Sequence, residues 1–348
     1  MFGVLSSFFH FNNSYGQFNK PQELVNYEKG LEFQNSGDNK MAISYYNQAL
    51  RVNPYYTDAL INRGLCKANL NLNIDAIKDY DSAISINPTD GDAFYNRAVS
   101  YQHLENYSKA IFDYTRCLEL NPNDEQAYFY RGYCNQRITQ YSSSISDFTK
   151  SLEINPDNEE SYFYRALNYS KLKQHLKAVN DCSKAIDINP KYIDAYLIRA
   201  NSKGRLNMLE EALKDYEIAL TINPNDENIY LNRGLTQSKL KRYSLAISNY
   251  NKAIEINPEF SNAYMYRGIA KSRLDLNREA ISDCTKAIEI DPDLEGAFFN
   301  RGLIFYTIRM DQKACEDFIE SKNRGFVIPS KGFTTIEEFI KESCNFDN

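Results

Sequence analysis

The chain has 348 residues, a formal net charge of −6 at pH 7, 43% hydrophobic residues and 25% charged residues. This balance is ordinary for a folded domain and argues against a protein that coats nucleic acid, which would normally be basic. No apolar run reaches the roughly 18 residues that a transmembrane helix needs. By length alone, two or three domains would fit.

Residues 1–22 are rich in Phe, Asn and Ser and do not share the periodicity that follows. We predict that they form an N-terminal tail, either flexible or covering the edge of the first folded element. Residues 1–11 are apolar but lack a basic start and a small-residue cleavage site, so we do not expect a secretory signal. The seven cysteines are odd in number and include no Cys-x-x-Cys pair. We therefore expect neither a disulfide framework nor a zinc site, and a cytoplasmic location.

One spacing organises the rest of the chain. A proline preceded by Asn or Asp recurs every 34 residues, eight times, without insertion or deletion. These prolines are Pro54, Pro88, Pro122, Pro156, Pro190, Pro224, Pro258 and Pro292. A fixed period of 20–50 residues is typical of a stacked repeat array.

Counting each of these prolines as position 32 divides residues 23–328 into nine repeats, which begin at residues 23, 57, 91, 125, 159, 193, 227, 261 and 295. Position 8 is always Gly or Ala, and position 20 is Ala except at Ser144. Small residues at these positions let two helix backbones approach closely. Large residues recur at helical spacing between them, and the residue before a proline avoids the helical region. Each repeat is therefore predicted to contain helix A, a tight turn, helix B and a second turn.

At these positions the chain resembles the tetratricopeptide-repeat family. The resemblance implies an all-α, right-handed α-solenoid (superhelix) of tandem helix-turn-helix units over residues 23–328. The end repeats diverge: Asn26 replaces an aromatic residue at position 4, and repeat 9 lacks the Asn-Pro close. Residues 329–348 are predicted to contain a capping helix, because Ile336, Phe339 and Ile340 would share one helix face.

Arginine at position 7 accompanies an acid at position 23. From repeat 2 onward, seven of the eight pairs are Arg–Asp, and Asn249 is the exception. The arginines are Arg63, Arg97, Arg131, Arg165, Arg199, Arg233, Arg267 and Arg301. They could form a row of cations for an acidic ligand or a packed ion pair in each repeat. The regular acidic companion favours the packed pair.

In the tetratricopeptide-repeat family, the A helices line an inner groove, chiefly through positions 2, 5, 6, 9, 12 and 13. An exposed apolar cluster in such a groove is typical of an interaction surface. The resemblance predicts an apolar peptide-binding floor formed by Phe129, Tyr130, Tyr133, Phe163, Tyr164, Leu167 and Ile198. The alternative is that several of these side chains pack against neighbouring repeats.

Polar residues extend this predicted groove. At position 13 a basic stripe runs through repeats 4 to 8, formed by Arg137, Lys171, Arg205, Lys239 and Arg273. It suits a peptide with acidic and apolar side chains, although cations near a helix C-terminus also stabilise the helix dipole. Asn62, Asn96 and Asn232 at position 6 match residues that hold peptide backbone in some family members. The carboxylate clamp of chaperone-binding members is not assembled, since position 5 holds no Lys in repeats 2 to 9 and Asn201 is the one Asn at position 9.

No sequence pattern points to catalysis. The three histidines lie far apart, and no nucleotide-binding glycine loop, His-Glu-x-x-His or Gly-x-Ser-x-Gly sequence occurs. We predict a non-catalytic scaffold or adaptor without cofactor or metal, which binds an extended peptide segment of a partner protein. Neither nucleic acid nor a membrane is an expected partner. The alternatives are a regulatory subunit or co-chaperone-like partner of another complex and, against the negative net charge, an RNA-contacting solenoid.

Overall fold

The structure, a computed structural model, describes residues 20–327 and 335–344. In these ranges every regular element is an α-helix, and there are nineteen. The chain divides into two compact units, residues 1–140 and 141–348, so that the boundary falls inside repeat 4. Within each unit, every helix packs against the next one along the chain. Each unit is thus a tandem helix-turn-helix array, which confirms the predicted all-α solenoid class.

The first unit contains α1 Gln22–Asn35, α2 Asn39–Val52, α3 Thr57–Asn69, α4 Asn73–Ile86, α5 Gly91–His103, α6 Tyr107–Leu120 and α7 Glu125–Arg137. The second unit contains α8 Tyr141–Ile154, α9 Glu159–Lys171, α10 His175–Ile188, α11 Ile193–Arg205, α12 Leu209–Ile222, α13 Glu227–Lys239, α14 Tyr243–Ile256, α15 Ser261–Ser272, α16 Asn277–Ile290, α17 Glu295–Thr307, α18 Asp311–Asn323 and α19 Ile336–Cys344. Odd-numbered helices up to α17 are the A helices of the nine repeats, and even-numbered helices are the B helices. Of the predicted tail, residues 1–19 lie outside the described residues.

The Asn-Pro pairs end the B helices by two effects. The residue before proline takes an extended conformation, as at Asn53 with φ −128° and ψ 94°. Its side-chain oxygen then accepts a hydrogen bond from the backbone N–H two residues on, for example that of Tyr55 at 3.0 Å. The same contact recurs at Asn87, Asn121, Asn155, Asn189, Asn223, Asn257 and Asp291. The recurring pair is therefore a helix stop and a turn in one dipeptide.

The turn between helices A and B depends on one residue in the left-handed region. At position 15, Gly37 occupies this region in repeat 1, and a residue with a side chain occupies it in all later repeats, with φ between 56° and 63°. At Thr139 the backbone N–H donates to Gln136 O (2.9 Å) and that of Gln140 donates to Asn135 O (2.8 Å). These two bonds form a Schellman motif, which satisfies the last carbonyls of helix A.

Close contact between the two helices of a repeat explains the small residues at positions 8 and 20. A β-carbon added to Gly64 would lie 2.6 Å from Cε1 of the buried Tyr80, and one added to Gly234 would lie 2.5 Å from Cε1 of Tyr250. Alanine at position 20 is fully buried, as at Ala76. The small residue at position 8 thus makes room for an aromatic ring in these two repeats, and the predicted close approach of helix backbones is confirmed at Gly268, where an added β-carbon would lie 2.9 Å from the backbone oxygen of Ala280.

In repeats 2, 3, 5, 6, 8 and 9 the position-7 arginine ties its A helix to two B helices. In repeat 5, Arg165 donates from Nε and Nη2 to the two carboxylate oxygens of Asp181 at 2.7 and 2.8 Å. Its Nη1 donates to Oγ1 of Thr149 in the preceding B helix at 3.1 Å. The guanidinium also lies 5.6 Å from the ring centroid of Tyr162. Bidentate contacts of 2.6 to 3.0 Å recur for Arg63, Arg97, Arg199, Arg267 and Arg301 with Asp79, Asp113, Asp215, Asp283 and Asp317. The packed ion pair, rather than a row of ligand-binding cations, is what these residues form.

Repeat 7 lacks the charged partner. Arg233 donates from Nε to the amide oxygen of Asn249 at 2.6 Å. Burial lowers the pKa of Arg233, whereas a hydrogen bond to Asp317 raises the pKa of Arg301. The Arg–Asn pair is therefore electrostatically weaker than its counterparts in the array.

The C-terminal capping helix α19 packs against α18. The Phe339 ring lies 5.3 Å from that of Phe318 and 5.8 Å from that of Phe299, and Ile336 is buried. This packing brings Cys315 of α18 and Cys344 of α19 to a Cα–Cα distance of 5.2 Å, where they form a disulfide. We expected no disulfide framework and did not predict this single bond, because its two cysteines are separated by 29 positions in the sequence.

A first prediction concerns the turn residue Thr139. Replacement by glycine should raise the free energy of unfolding by about 1 kcal/mol, because a β-branched residue is strained at positive φ. Thermal unfolding followed by circular dichroism measures the change. Thr139→Ala is the control, since it keeps a β-carbon in the left-handed region. A glycine variant no more stable than the alanine variant would contradict this interpretation.

A second prediction concerns the arginine pairs. Arg165→Ala should lower the free energy of unfolding by about 3 kcal/mol, because it leaves the buried Asp181 carboxylate without its cation. Arg233→Ala is the matched comparison and should cost about 1 kcal/mol, since Asn249 carries no charge. Urea unfolding of both variants tests the difference. Equal losses would show that the charge of the partner contributes nothing.

A third prediction concerns the cysteines. Thiol titration of the unreduced protein in denaturant should find five reactive thiols, those of Cys66, Cys117, Cys134, Cys182 and Cys284. After reduction it should find all seven. Seven thiols before reduction would mean that the α18–α19 disulfide does not form.

Candidate functional site

The candidate site is a cavity of ≈ 1370 Å³ in the second unit, formed by repeats 5 to 8. Its wall consists of the C-terminal halves of helices α9, α11, α13 and α15 with parts of the A–B turns and of α10, α12 and α14. A volume above the usual 300–1,000 Å³ of small-molecule sites suits an extended ligand better than a compact one.

Four members of the predicted basic stripe line this cavity: Lys171, Arg205, Lys239 and Arg273. Position 13 falls at the end of each A helix, so these cations also lie where they stabilise the helix dipole. Their side chains are exposed.

These cations differ from the other basic residues of the repeats. Lys203 and Lys271, at position 11, form ion pairs with Asp215 and Asp283 at 2.8 and 2.7 Å. Lys171, Arg205, Lys239 and Arg273 have no ion pair or side-chain hydrogen bond within residues 20–327 and 335–344, and no described residue lining the cavity is acidic. Their charge is therefore available to a ligand.

The fifth member of the stripe, Arg137, lies in the first unit. Its Nη1 donates to the Tyr133 hydroxyl at 3.0 Å, and its guanidinium lies 4.9 Å from the Tyr107 ring centroid. The hydrogen bond to Tyr133 raises the pKa of Arg137. This cation is thus already in contact with two aromatic rings.

The predicted aromatic floor is divided between the two units. Phe129, Tyr130 and Tyr133 lie on α7 of the first unit, and Phe163, Tyr164 and Leu167 lie on α9 of the second. All six are half-buried. Within its own unit, the Tyr130 ring stacks on Tyr114 at 6.2 Å and the Tyr164 ring stacks on Phe148 at 5.7 Å. Part of each ring therefore packs against a neighbouring B helix.

The remaining predicted residues have different surroundings. Asn62 donates from Nδ2 to the Tyr27 hydroxyl (3.0 Å), and Asn96 donates to Asp92 O (2.8 Å). Asn232 lines the cavity, and its side chain makes no hydrogen bond in the described part of the chain. Ile198 packs against the buried cluster that contains Cys182. Of the predicted side chains, Asn232 and the four basic residues are therefore the ones that the cavity brings together.

Sequence reasoning missed part of the wall. Lys173 and His175 come from the A–B turn and the start of α10, and Tyr216 and Tyr243 come from B helices. The groove positions that we took from the family all lie on A helices. A local signal was present in the run Lys171, Lys173, His175, which places basic residues at every second position.

His175 is the histidine of this wall. Burial lowers its pKa, and the positive charges of Arg205 and Lys173 lower it further. Its Nδ1 is buried and has no hydrogen-bond partner among the described residues. An anion bound beside His175 would stabilise the protonated ring and so would raise the pKa of His175.

Neither a metal cluster nor a membrane-spanning helix occurs in residues 20–327 and 335–344. No group of three or more His, Cys, Asp and Glu side chains lies close enough together to hold a metal ion. None of the helices combines the length and apolar character needed to cross a membrane.

Known proteins resemble this chain in a short stretch of sequence and in structure. A segment of 39 residues is 46% identical to an uncharacterized protein of Methanocaldococcus jannaschii, covering 11% of this chain and 45% of that protein, so less than half of the relative's length is matched. The crystal structure of the Cut9–Hcn1 hetero-tetramer of the APC/C superposes with a TM-score of 0.54 at 13% identity, covering 94% of this chain and 78% of that one. YrrB, described as a TPR protein with an unusual peptide-binding site, gives a TM-score of 0.49 at 23% identity, over 53% of this chain and 95% of that one.

Family models match along the array. Two models described as tetratricopeptide repeat match residues 91–124 and 228–260, and residues 25–56 and 159–192. A model described as TPR repeat matches residues 205–241. Four of these five matches begin within two residues of a repeat start, and the helix pairs of both units follow the 34-residue period. The chain is a member of the tetratricopeptide-repeat family.

Proposed function

We propose that this protein is a non-catalytic scaffold that binds an extended acidic segment of a partner protein in the cavity of repeats 5 to 8. One observation carries the proposal: Lys171, Lys173, Arg205, Lys239 and Arg273 line a single cavity without an acidic neighbour in its described lining. A polypeptide that supplies the missing carboxylates would satisfy them.

The rest of the wall fits a peptide chain. Leu235, Ile269 and Tyr266 are half-buried and offer apolar contact between the cations. The amide of Asn232 can hydrogen-bond a peptide backbone. Acidic side chains would therefore be held by the cations and apolar side chains by the floor. This preserves the predicted ligand chemistry but places it C-terminal to the predicted aromatic centre.

A non-catalytic role agrees with the state of the cysteines. The five free thiols are buried, and burial raises the pKa of Cys134 and Cys182 to about 12. Thiols with such pKa values remain protonated and are poor nucleophiles. We therefore assign no catalytic residue. A regulatory-subunit or co-chaperone-like role would use the same cavity.

The cytoplasmic location stays a prediction. The Cys315–Cys344 disulfide bears against a strongly reducing compartment, because structural disulfides persist mainly in oxidising ones.

A fourth prediction tests the cavity. A fluorescein-labelled peptide of about a dozen residues that alternates Glu with Leu or Phe should bind, and Lys239→Glu with Arg273→Glu should weaken its Kd at least about tenfold. Each charge reversal removes one attraction and adds one repulsion, which costs about 1 kcal/mol of binding free energy. The two reversals together cost about 2 kcal/mol, more than the roughly 1.4 kcal/mol of a tenfold change. Fluorescence anisotropy at two salt concentrations measures the change, and binding should weaken as salt rises.

The matched control is Lys184→Glu with Lys214→Glu, which changes the net charge equally at exposed lysines outside the cavity. It should change the Kd less than twofold. Equal weakening by both pairs would contradict a site in this cavity. Tighter binding of a single-stranded RNA, with a steeper dependence on salt, would favour the RNA-contacting alternative.

A further inference from the structure

One corner of the cavity is more strongly cationic than the rest. We call it the His175 corner and define it by Lys171, Lys173, His175 and Arg205. Lys171 ends α9, Lys173 is the left-handed residue of the following turn, and His175 begins α10. Arg205 ends α11 of the next repeat. Four side chains from two repeats thus face one space.

An equivalent place in the first unit shows what is unusual about this corner. There, position 17 of repeat 3 is Tyr107, and its ring lies 4.9 Å from the guanidinium of Arg137, at position 13 of repeat 4. In the His175 corner, position 17 of repeat 5 is His175 and position 13 of repeat 6 is Arg205. Arg205 makes no ring contact, ion pair or side-chain hydrogen bond in residues 20–327 and 335–344. The arginine that is satisfied internally in repeat 4 is therefore unsatisfied in repeat 6.

The electrostatics of the corner are those of an anion site. The charged groups that face His175 are Lys173 and Lys171 from the preceding turn and helix and Arg205 from α11, and no acidic residue is in the described lining. Burial lowers the pKa of His175, and the positive charges of Arg205 and Lys173 lower it further. The buried, unpartnered Nδ1 leaves the ring's hydrogen bonding incomplete.

We propose that the His175 corner binds the phosphate monoester of a phosphorylated Ser, Thr or Tyr in the acidic partner segment; this rests on the proposed function. A phosphate monoester carries a charge of about −1.5 to −2 and three acceptor oxygens, and so can engage several convergent cations at once. A carboxylate has one charge and fewer acceptors. The apolar residues Leu235 and Ile269 elsewhere in the cavity favour a peptide over a nucleic acid, whose phosphodiesters each carry a single charge.

Binding of matched peptides tests the preference. We expect the peptide with one phosphoserine in place of Glu to bind about tenfold more tightly than the same peptide with Glu retained. Lys173→Gln with Arg205→Gln should reduce that ratio to below twofold, because it removes two of the corner's cations, whatever its effect on the Kd of the Glu peptide. Lys184→Gln with Lys214→Gln should leave the ratio unchanged. A ratio near one in the unaltered protein, or a ratio that survives loss of Lys173 and Arg205, would overturn the proposal.

Proton NMR of the histidines supplies an independent readout, since the chain holds three and His103 lies in the first unit. The phosphopeptide should raise the pKa of His175 and leave the His103 signals in place, and millimolar inorganic phosphate should do the same more weakly. If neither the phosphopeptide nor inorganic phosphate changes the pKa of His175, the proposal that the His175 corner binds phosphate is wrong. A His175 response to inorganic phosphate without binding of any peptide would show an anion site and sink the peptide-binding function instead. If peptides bind but the pKa of His175 does not change, the phosphate site is wrong and the proposed peptide-binding function stands.

Discussion

The structure depends on the contact between the position-7 arginine and the B helices on either side of it. A pair of short helices cannot bury enough surface to fold alone, so each repeat must fix its neighbour. Arg165 does this with a bidentate bond to Asp181 in its own repeat and a third bond to Thr149 in the one before. Because the guanidinium is planar and its donors are fixed, this contact sets orientation as well as attraction. Repetition of this geometry keeps neighbouring repeats within a unit in one register.

The same contact determines where unpaired charge is left. Six position-23 carboxylates are buried and bonded to arginine, with Lys203 and Lys271 as second partners of Asp215 and Asp283. Other acids form pairs on exposed surfaces, such as Asp75 with Lys78. A cationic cavity can therefore exist in a chain of net charge −6. It consists of the basic side chains for which the framework provides no acid.

The fold could be predicted because its determinants are local and repeated. The Asn-Pro pair ends helix B through its own backbone and side chain, and Gly64 is small because Tyr80 lies against it. The A–B turn was predicted only as a turn, because Thr139 and its counterparts share no turn-forming type. The packing of the helices imposes positive φ on whatever residue is there. The Cys315–Cys344 disulfide could not be predicted, since it depends on where α19 docks.

The site could be predicted only in part, for a related reason. A repeat position fixes the helix face on which a side chain lies, but a neighbour decides how much of that side chain is left for a ligand. Tyr130 and Tyr164 lie at a groove position, yet their rings stack on Tyr114 and Phe148. Arg137 and Arg205 both lie at position 13 of their repeats. At position 17 of the preceding repeat, Arg137 has Tyr107 as its neighbour, whereas Arg205 has His175. Binding chemistry specific to this protein therefore arises where the repeat spacing is unchanged but the residue beside a position-13 cation differs in type. The pair formed by position 13 and position 17 of the preceding repeat thus predicts a binding site better than either position alone.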